Sequence, residues 1–151
     1  MNAKTLFGIF VAITIFIIWV VVVIPASFAK RCFYEDNPEA QLRSCRLALI
    51  PFRFGISSKA DNFEFARIMA VYGVALSRNG RTEDAIGAFR ESFGLAGVPP
   101  LVSIDVVSAD EVSQKISDDP FLRSIAVKIK SYEDNSAAMQ SFVAAMISGE
   151  V

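Results

Sequence analysis

Residues 66–97 read ARIMAVYGVALSRNGRTEDAIGAFRESFGLAG, and they carry the clearest structural signal in the chain. Apolar residues recur at helical spacing on both sides of the pair Asn79-Gly80. That pair favours the end of a helix followed by a tight turn, because glycine adopts a positive φ without steric cost. Thr82 is expected to cap the second helix, which runs to Phe93 and ends at the glycines and prolines that follow. The stretch therefore predicts two helices joined by a short turn.

The same residues resemble a tetratricopeptide repeat, a helical hairpin of about 34 residues with small side chains where its two helices touch. Gly73 stands where the family has its first-helix glycine, Ala85 at the close-packing alanine and Phe89 at the second-helix aromatic. The family pattern is not kept everywhere, since Ser92 replaces its second alanine. The resemblance implies that the hairpin packs through Met69, Tyr72, Gly73, Leu76, Ala85 and Phe89.

In this family the outer face of the first helix usually holds a peptide or helix of a partner protein. Carried over position by position, the predicted partner-binding groove comprises Arg67, Ala70, Val74, Ser77 and Arg78. Its two arginines could bind a partner's carboxylate, although surface arginines are equally often only solvated. The resemblance covers 32 of 151 residues. An unrelated helical hairpin would show the same spacing and stays the alternative.

The N-terminal 29 residues contain one charged side chain, Lys4, and an apolar run over residues 6–24. A helix of that length would reach about 28 Å, close to the roughly 30 Å hydrocarbon core of a bilayer. The run therefore predicts a single transmembrane anchor in residues 1–29, with membrane lipid around it. A cleaved signal sequence is the alternative, because Ser27 and Ala29 would suit a cleavage site. The apolar run is longer than the core of most signal sequences, which favours the anchor.

Cys32 and Cys45 are the two cysteines of the chain. An isolated pair suits a disulfide in an oxidising compartment, whereas two free thiols in a reduced domain are the alternative. Basic groups before the apolar run balance those after it, so the positive-inside count does not orient the chain. The cysteines lead us to expect a cytoplasmic N-terminus and a periplasmic or otherwise extracytoplasmic domain over residues 30–151.

That domain carries helical signals almost throughout, so the expected fold class is all-α: a transmembrane helix followed by a short α-solenoid of tetratricopeptide type. Residues 36–39 favour a helix start, and Pro51 favours its end. Residues 61–62 are expected to cap the first helix of the hairpin. Residues 101–107 are apolar and β-branched, which favours a short extended segment.

Three further signals predict the C-terminal helices. Ser108 and Glu111 form a capping-box pattern, and Asp119-Pro120 is typical of a helix start. A last helix should follow Asn135. The apolar faces of the last two helices are predicted to be Leu122, Ile125, Ala126 and Ile129 in one and Met139, Phe142, Val143 and Met146 in the other.

Composition argues against several kinds of site. The chain has 15 basic and 16 acidic side chains and no basic cluster, so no nucleic-acid partner is expected. It has no histidine, the commonest zinc ligand and general base, so neither a metal, a cofactor nor a catalytic site is expected. Acidic pairs such as Glu83-Asp84 lie near predicted helix starts, where they complement the helix dipole.

The expected function is therefore binding. A non-catalytic scaffold would hold protein partners, which an anchored chain would meet chiefly among membrane proteins. A small accessory subunit of a large membrane complex is a second possibility, because it also needs no active site, and Gly8 and Ala12 offer a small helix face for close contact. A secreted periplasmic domain or an enzyme using carboxylates or serines is a third possibility. The enzyme would need a pocket lined by an acid with a raised pKa.

Overall fold

A computed structural model of the protein describes residues 3–18, 24–53, 62–101 and 108–147, with side chains described from residue 7 to 17 and from residue 27 onward in these ranges. Every regular element in them is an α-helix, so the all-α expectation is confirmed for the described residues. The helices are α1 Ala3–Ile18, α2 Ile24–Tyr34, α3 Pro38–Ala48, α4 Ile50–Arg53, α5 Asn62–Arg78, α6 Thr82–Ala96, α7 Ala109–Asp118, α8 Pro120–Lys130 and α9 Ser136–Ile147.

The helical hairpin predicted from residues 66–97 is formed by α5 and α6. Gly80, in the turn between them, has a φ of 74°. A Cβ placed on Gly73 would lie 3.2 Å from the ring of Phe89 and 3.3 Å from the carbonyl oxygen of Ala85. The two helices therefore meet most closely at a residue without a side chain, as the sequence predicts.

The remaining packing residues of the hairpin lie inside the molecule. Met69, Leu76, Ala85 and Phe89 are buried, and Tyr72 is half-buried. The helix α9 covers the hairpin, and the ring of its Phe142 meets two rings of α6 edge to face. The ring centroids of Phe89 and Phe93 lie 5.5 Å and 5.6 Å from that of Phe142. Edge-to-face packing of this kind places the positive ring edge against the negative ring face.

The helices α2 and α3 are joined by a disulfide between Cys32 and Cys45, both fully buried. The disulfide alternative of the sequence analysis is thus the one that the structure shows. The start of α3 is also as predicted, because the Asn37 side chain accepts a hydrogen bond of 3.0 Å from the backbone N–H of Ala40. Pro51 does not end a helix but lies in the first turn of α4, where its missing N–H costs no hydrogen bond.

The starts of α7 and α8 follow the predicted capping chemistry. Ser108 and Glu111 form both bonds of the capping box. The Asp119 side chain accepts bonds of 2.8 Å and 3.1 Å from the first two N–H groups after Pro120. The predicted apolar face of α8 is buried throughout. In α9, Phe142 and Met146 are buried, while Met139 and Val143 are only half-buried.

Two boundaries of α6 differ from the prediction. Thr82 is the first residue of α6 and does not cap it; Arg81 holds the N-cap position without a side-chain cap bond. The helix also continues beyond Phe93 to Ala96, and Gly97 ends it with a φ of 71°. The Gly97 N–H and the next N–H then bond to carbonyls of the last turn, which is why the helix stops here and not at the earlier glycine.

The predicted transmembrane helix is wrong for the described residues, since none of the helices there is long and apolar enough to cross a membrane. The helix α1 has 16 residues, which at about 1.5 Å each reach only about 24 Å. The next helix, α2, contains Lys30 and Arg31. The single-pass placement, with a cytoplasmic N-terminus and a periplasmic domain, loses its basis together with the span.

Some predictions fall on residues outside the described ranges. Residues 19–23 of the apolar run, the expected cap at Asp61 and the extended segment from residue 102 onward all lie there. Leu101 is described, and its N–H donates a bond of 2.9 Å to the carbonyl oxygen of Met146 in α9.

Candidate functional site

The predicted partner-binding groove is mostly covered by the chain's own helices. Ala70, Val74 and Ser77 are buried, and the Arg78 side chain is 6% exposed. Helices α2, α3, α8 and α9 all contact α5 and occupy the space that the resemblance leaves for a partner. The prediction that these residues form an accessible groove is therefore wrong. Arg67 differs from the other four, with 45% of its side chain exposed.

Ser77 binds α9 and not a partner. Its Oγ donates a hydrogen bond of 2.9 Å to the carbonyl oxygen of Ala137 and lies 2.7 Å from Oγ of Ser141. Both serines are buried, so these bonds satisfy polar groups that would otherwise be costly inside the molecule. The contact fixes α9 against the end of α5, next to the turn of the hairpin.

Arg78 does bind a carboxylate, but one from its own chain. Its Nε donates to Oδ1 of Asp134 at 2.8 Å. Its two terminal nitrogens donate to Oε1 of Gln41 at 2.9 Å and to the carbonyl oxygen of Asp36 at 2.7 Å. One guanidinium group thus ties α5 to the start of α3 and to the turn after α8, with each of its three nitrogens donating one bond.

Gln41 extends this network towards α2. It is fully buried, and its Nε2 donates to the carbonyl oxygen of Cys32 at 3.1 Å and to the hydroxyl oxygen of Tyr132 at 2.6 Å. Among the described residues, no buried side-chain nitrogen or oxygen lacks a hydrogen-bond partner. We call Gln41, Arg78, Tyr132 and Asp134 the polar latch, because together they hold α2, α3, α5 and the turn after α8 in one arrangement.

Arg67 faces a cleft between α2, α5 and α8, on the side of α5 that these helices leave open. The cleft has a volume of about 470 Å³. We call it the α2–α5–α8 cleft, and its lining residues are Phe33, Tyr34, Glu64, Arg67, Val71, Ser124, Ile125, Val127, Lys128 and Ser131.

The cleft combines a buried apolar floor with an exposed apolar rim. Val71 and Ile125 belong to the core. Tyr34 and Val127 are 75% and 64% exposed, although large apolar side chains usually avoid water. A concave surface with apolar contacts and a few polar groups is the usual form of a ligand site.

Two cations of the cleft are held over aromatic rings. The guanidinium carbon of Arg67 lies 5.2 Å from the ring centroid of Phe33. The Nζ of Lys128 lies 4.6 Å from that of Tyr132 and 5.9 Å from that of Tyr34. Such contacts restrain a cation without neutralising it.

Glu64 is the acidic residue among those lining the cleft, and Oε2 of its carboxylate lies 3.5 Å from Nη1 of Arg67. An exposed pair at that distance is weak, because water and salt screen it. The described lining therefore carries two positive charges against one negative charge.

The two serines of the cleft offer oxygen lone pairs. Oγ of Ser124 donates its proton to the carbonyl oxygen of Phe121 at 2.8 Å, and Oγ of Ser131 donates to that of Lys128 at 2.7 Å. Because a hydroxyl has a single proton, both oxygens can only accept a further bond. The cleft thus has cationic donors and neutral acceptors next to an apolar floor.

Sequence reasoning found Arg67 but missed Tyr34, Val127 and Lys128. Val127 was detectable in principle, since it is an apolar residue on the polar side of a helix whose apolar face is otherwise continuous. Nothing local indicates that the end of α2 and the middle of α8 line one cleft, because about ninety residues separate them in the chain.

The described residues contain no group of three or more Cys, Asp or Glu side chains arranged to hold a metal ion. Comparisons with protein-family models, with curated proteins and with solved structures found no match to this chain.

Proposed function

We propose that this protein is a non-catalytic binding module for a protein partner, and that the α2–α5–α8 cleft is its binding surface. The observation that carries the proposal is the exposure of Tyr34 and Val127 above the buried floor. Exposed aromatic and aliphatic groups around a concave floor are where a partner gains most from excluding water.

The composition of the cleft also supports protein binding. Tyrosine and arginine are enriched at protein interfaces, since each combines a large contact area with hydrogen-bonding groups. Tyr34 and Arg67 both line this cleft. Both serines of the cleft donate their protons to backbone carbonyls and not to a general base, which a serine nucleophile needs for activation.

Site-specific photocrosslinking tests this proposal. A photoreactive phenylalanine analogue replaces Val127 in the full-length chain, expressed in cells of the source organism. The matched control places the analogue at Arg90, which is exposed on α6. We expect a discrete crosslinked partner from position 127 and none from position 90. The purified partner should then bind the wild-type chain and lose affinity by about tenfold or more for Val127→Asp. Equal crosslinking at both positions, or unchanged affinity, would contradict the proposal.

A second candidate function is an accessory structural subunit of a multi-subunit assembly, and α1 favours it. Phe7, Phe10 and Phe16 are exposed, as are the isoleucines between them. A helix that is apolar on all sides is stable where other apolar surfaces enclose it. Replacing the three phenylalanines by serine should release the protein from such an assembly on a native gel, whereas Val127→Asp should not. Retention of the triple variant would contradict this candidate.

A further inference from the structure

We infer that the cleft receives an acidic segment, in which an aspartate or glutamate side chain binds Arg67 and Lys128 while a neighbouring aliphatic side chain packs on Tyr34 and Val127. This inference rests on the proposed binding function and specifies the chemistry of the ligand.

The cationic donors of the cleft are not used up inside the molecule. Arg67 has a single weak ion pair, and none of the ion pairs of the described residues includes Lys128. A guanidinium group has five N–H donors and an ammonium group has three. Most of these donors therefore remain available to an acceptor in the cleft, and a carboxylate is the protein group richest in acceptors.

Both cations of the cleft are already restrained before a ligand binds. Lys128 is held over the rings of Tyr34 and Tyr132, and Arg67 is held over the ring of Phe33. Long basic side chains normally lose much rotational freedom when they bind a ligand, so restraint before binding lowers this entropic cost. Two cations restrained in one cleft without strong internal partners favour an anion as the ligand.

The rest of the ligand has to match the apolar groups and the hydroxyl oxygens of the cleft. Val71 and Ile125 are almost fully buried, so the apolar surface open to a ligand is that of Tyr34 and Val127, and an aliphatic side chain would cover it. Oγ of Ser124 and Oγ of Ser131 can accept hydrogen bonds, and the backbone N–H groups of a peptide would supply them. An acidic residue beside an aliphatic one in a peptide meets all three requirements.

A second basic surface serves as the control. Arg43, Arg46 and Arg81 line a groove of about 720 Å³ along α3. Arg81 is already paired there with Asp84 at 2.6 Å, and the apolar lining residues Leu42 and Leu47 are only half-buried. None of the cation–ring contacts among the described residues includes Arg43 or Arg46, so the cations of this groove are not restrained as those of the cleft are. Reversing both of these charges changes the net charge of the protein as much as reversing Arg67 and Lys128.

The test uses the full-length protein and an array of immobilised ten-residue peptides. The centre of each peptide carries aspartate, asparagine or lysine between two leucines, in varied flanking sequences. We expect aspartate peptides to be retained about tenfold more than their asparagine counterparts. The variant Arg67→Glu/Lys128→Glu should lose that preference and retain lysine peptides instead. The control Arg43→Glu/Arg46→Glu, which changes the net charge by the same amount, should keep the wild-type preference.

The single variants Arg67→Gln and Lys128→Gln keep the test decisive if the double charge reversal fails to fold, and each should weaken the aspartate preference. Equal retention of aspartate and asparagine peptides, or a preference that survives in both glutamine variants, would overturn the inference. If retention then depends on Val127 but not on charge, the proposed function stands without its acidic ligand. If no peptide is retained and position 127 captures no partner, both proposals fail.

Discussion

The guanidinium group of Arg78 lies over the ring of Tyr132, with 4.1 Å between the guanidinium carbon and the ring centroid. Nζ of Lys128 also lies over this ring, 4.6 Å from its centroid. Tyr132 therefore belongs both to the polar latch and to the wall behind the α2–α5–α8 cleft. Through this ring, the side chain that fixes α5 to α3 is linked to a cation that faces the cleft.

Replacing Arg78 by methionine should destabilise the protein strongly. The substitution removes three hydrogen bonds and leaves Oε1 of the buried Gln41 without its donor. We expect a loss of about 2–4 kcal/mol in the free energy of unfolding, measured by urea denaturation. Arg90→Met on the exposed side of α6 is the matched control and should change it by less than about 0.5 kcal/mol. Equal effects of the two substitutions would show that the latch does not stabilise the fold.

Tyr132→Phe isolates the hydroxyl group of the latch. It removes the 2.6 Å bond to Nε2 of Gln41 and keeps the ring beneath Arg78 and Lys128. Because Gln41 still donates to Cys32, we expect a loss of only about 1–2 kcal/mol in thermal or urea unfolding. Tyr34→Phe removes a hydroxyl from an exposed ring and should leave stability unchanged. A Tyr132→Phe protein that is as stable as this control would show that the hydroxyl group does not stabilise the latch.

The disulfide between Cys32 and Cys45 should contribute about 3 kcal/mol to stability, as expected for a short closed loop. The variant Cys32→Ala/Cys45→Ala should lose that amount in urea unfolding. Because both cysteines are fully buried, a thiol reductant should act slowly on the native protein and quickly once denaturant opens it. Unfolding curves that coincide with and without reductant, after complete reduction is verified by mass, would contradict the prediction.

Two glycines, one in α5 and one in α6, should respond differently to alanine. Gly87 has no atom within 4 Å of a Cβ placed on it, so Gly87→Ala should stabilise the helix by about 0.5–1 kcal/mol. At Gly73 the same gain is opposed by contacts at 3.2 Å and 3.3 Å, one of them to a backbone oxygen that cannot move away. Gly73→Ala should therefore stabilise less or destabilise.

A larger side chain at Gly73 extends that comparison. Phe89 is fully buried and held by two other rings, so it cannot yield to a leucine. Gly73→Leu should lose about 3 kcal/mol or more and weaken any partner binding through loss of the fold. A stable Gly73→Leu protein would show that the helices do not meet closely at this residue. Calorimetric melting of the Gly73 and Gly87 variants side by side measures all these effects.

Local chemistry in the sequence was sufficient to locate most helix starts and the hairpin. The caps at Asn37, Ser108 and Asp119 and the turn at Gly80 are all present. Each depends on bonds or φ angles within about four residues, so it acts the same way in any tertiary context. Gly73 was recognisable as the contact point of the two helices, because it is a small residue among large ones. The length of the apolar run was a poorer guide to the N-terminal helix, because the composition of residues 6–24 does not show where α1 ends.

Packing between distant helices decided the rest. Whether the face of α5 at Ala70 and Val74 stays open depends on how much apolar surface α2, α3, α8 and α9 bury against it, which no local pattern expresses. For the same reason Arg78 became an internal latch while Arg67, eleven residues earlier on the same helix, stayed at the edge of a cleft. The amino-acid pattern thus specifies helices and their close contacts, because those energies are local. The tertiary arrangement selects the binding surface, because exposure is a property of the whole molecule.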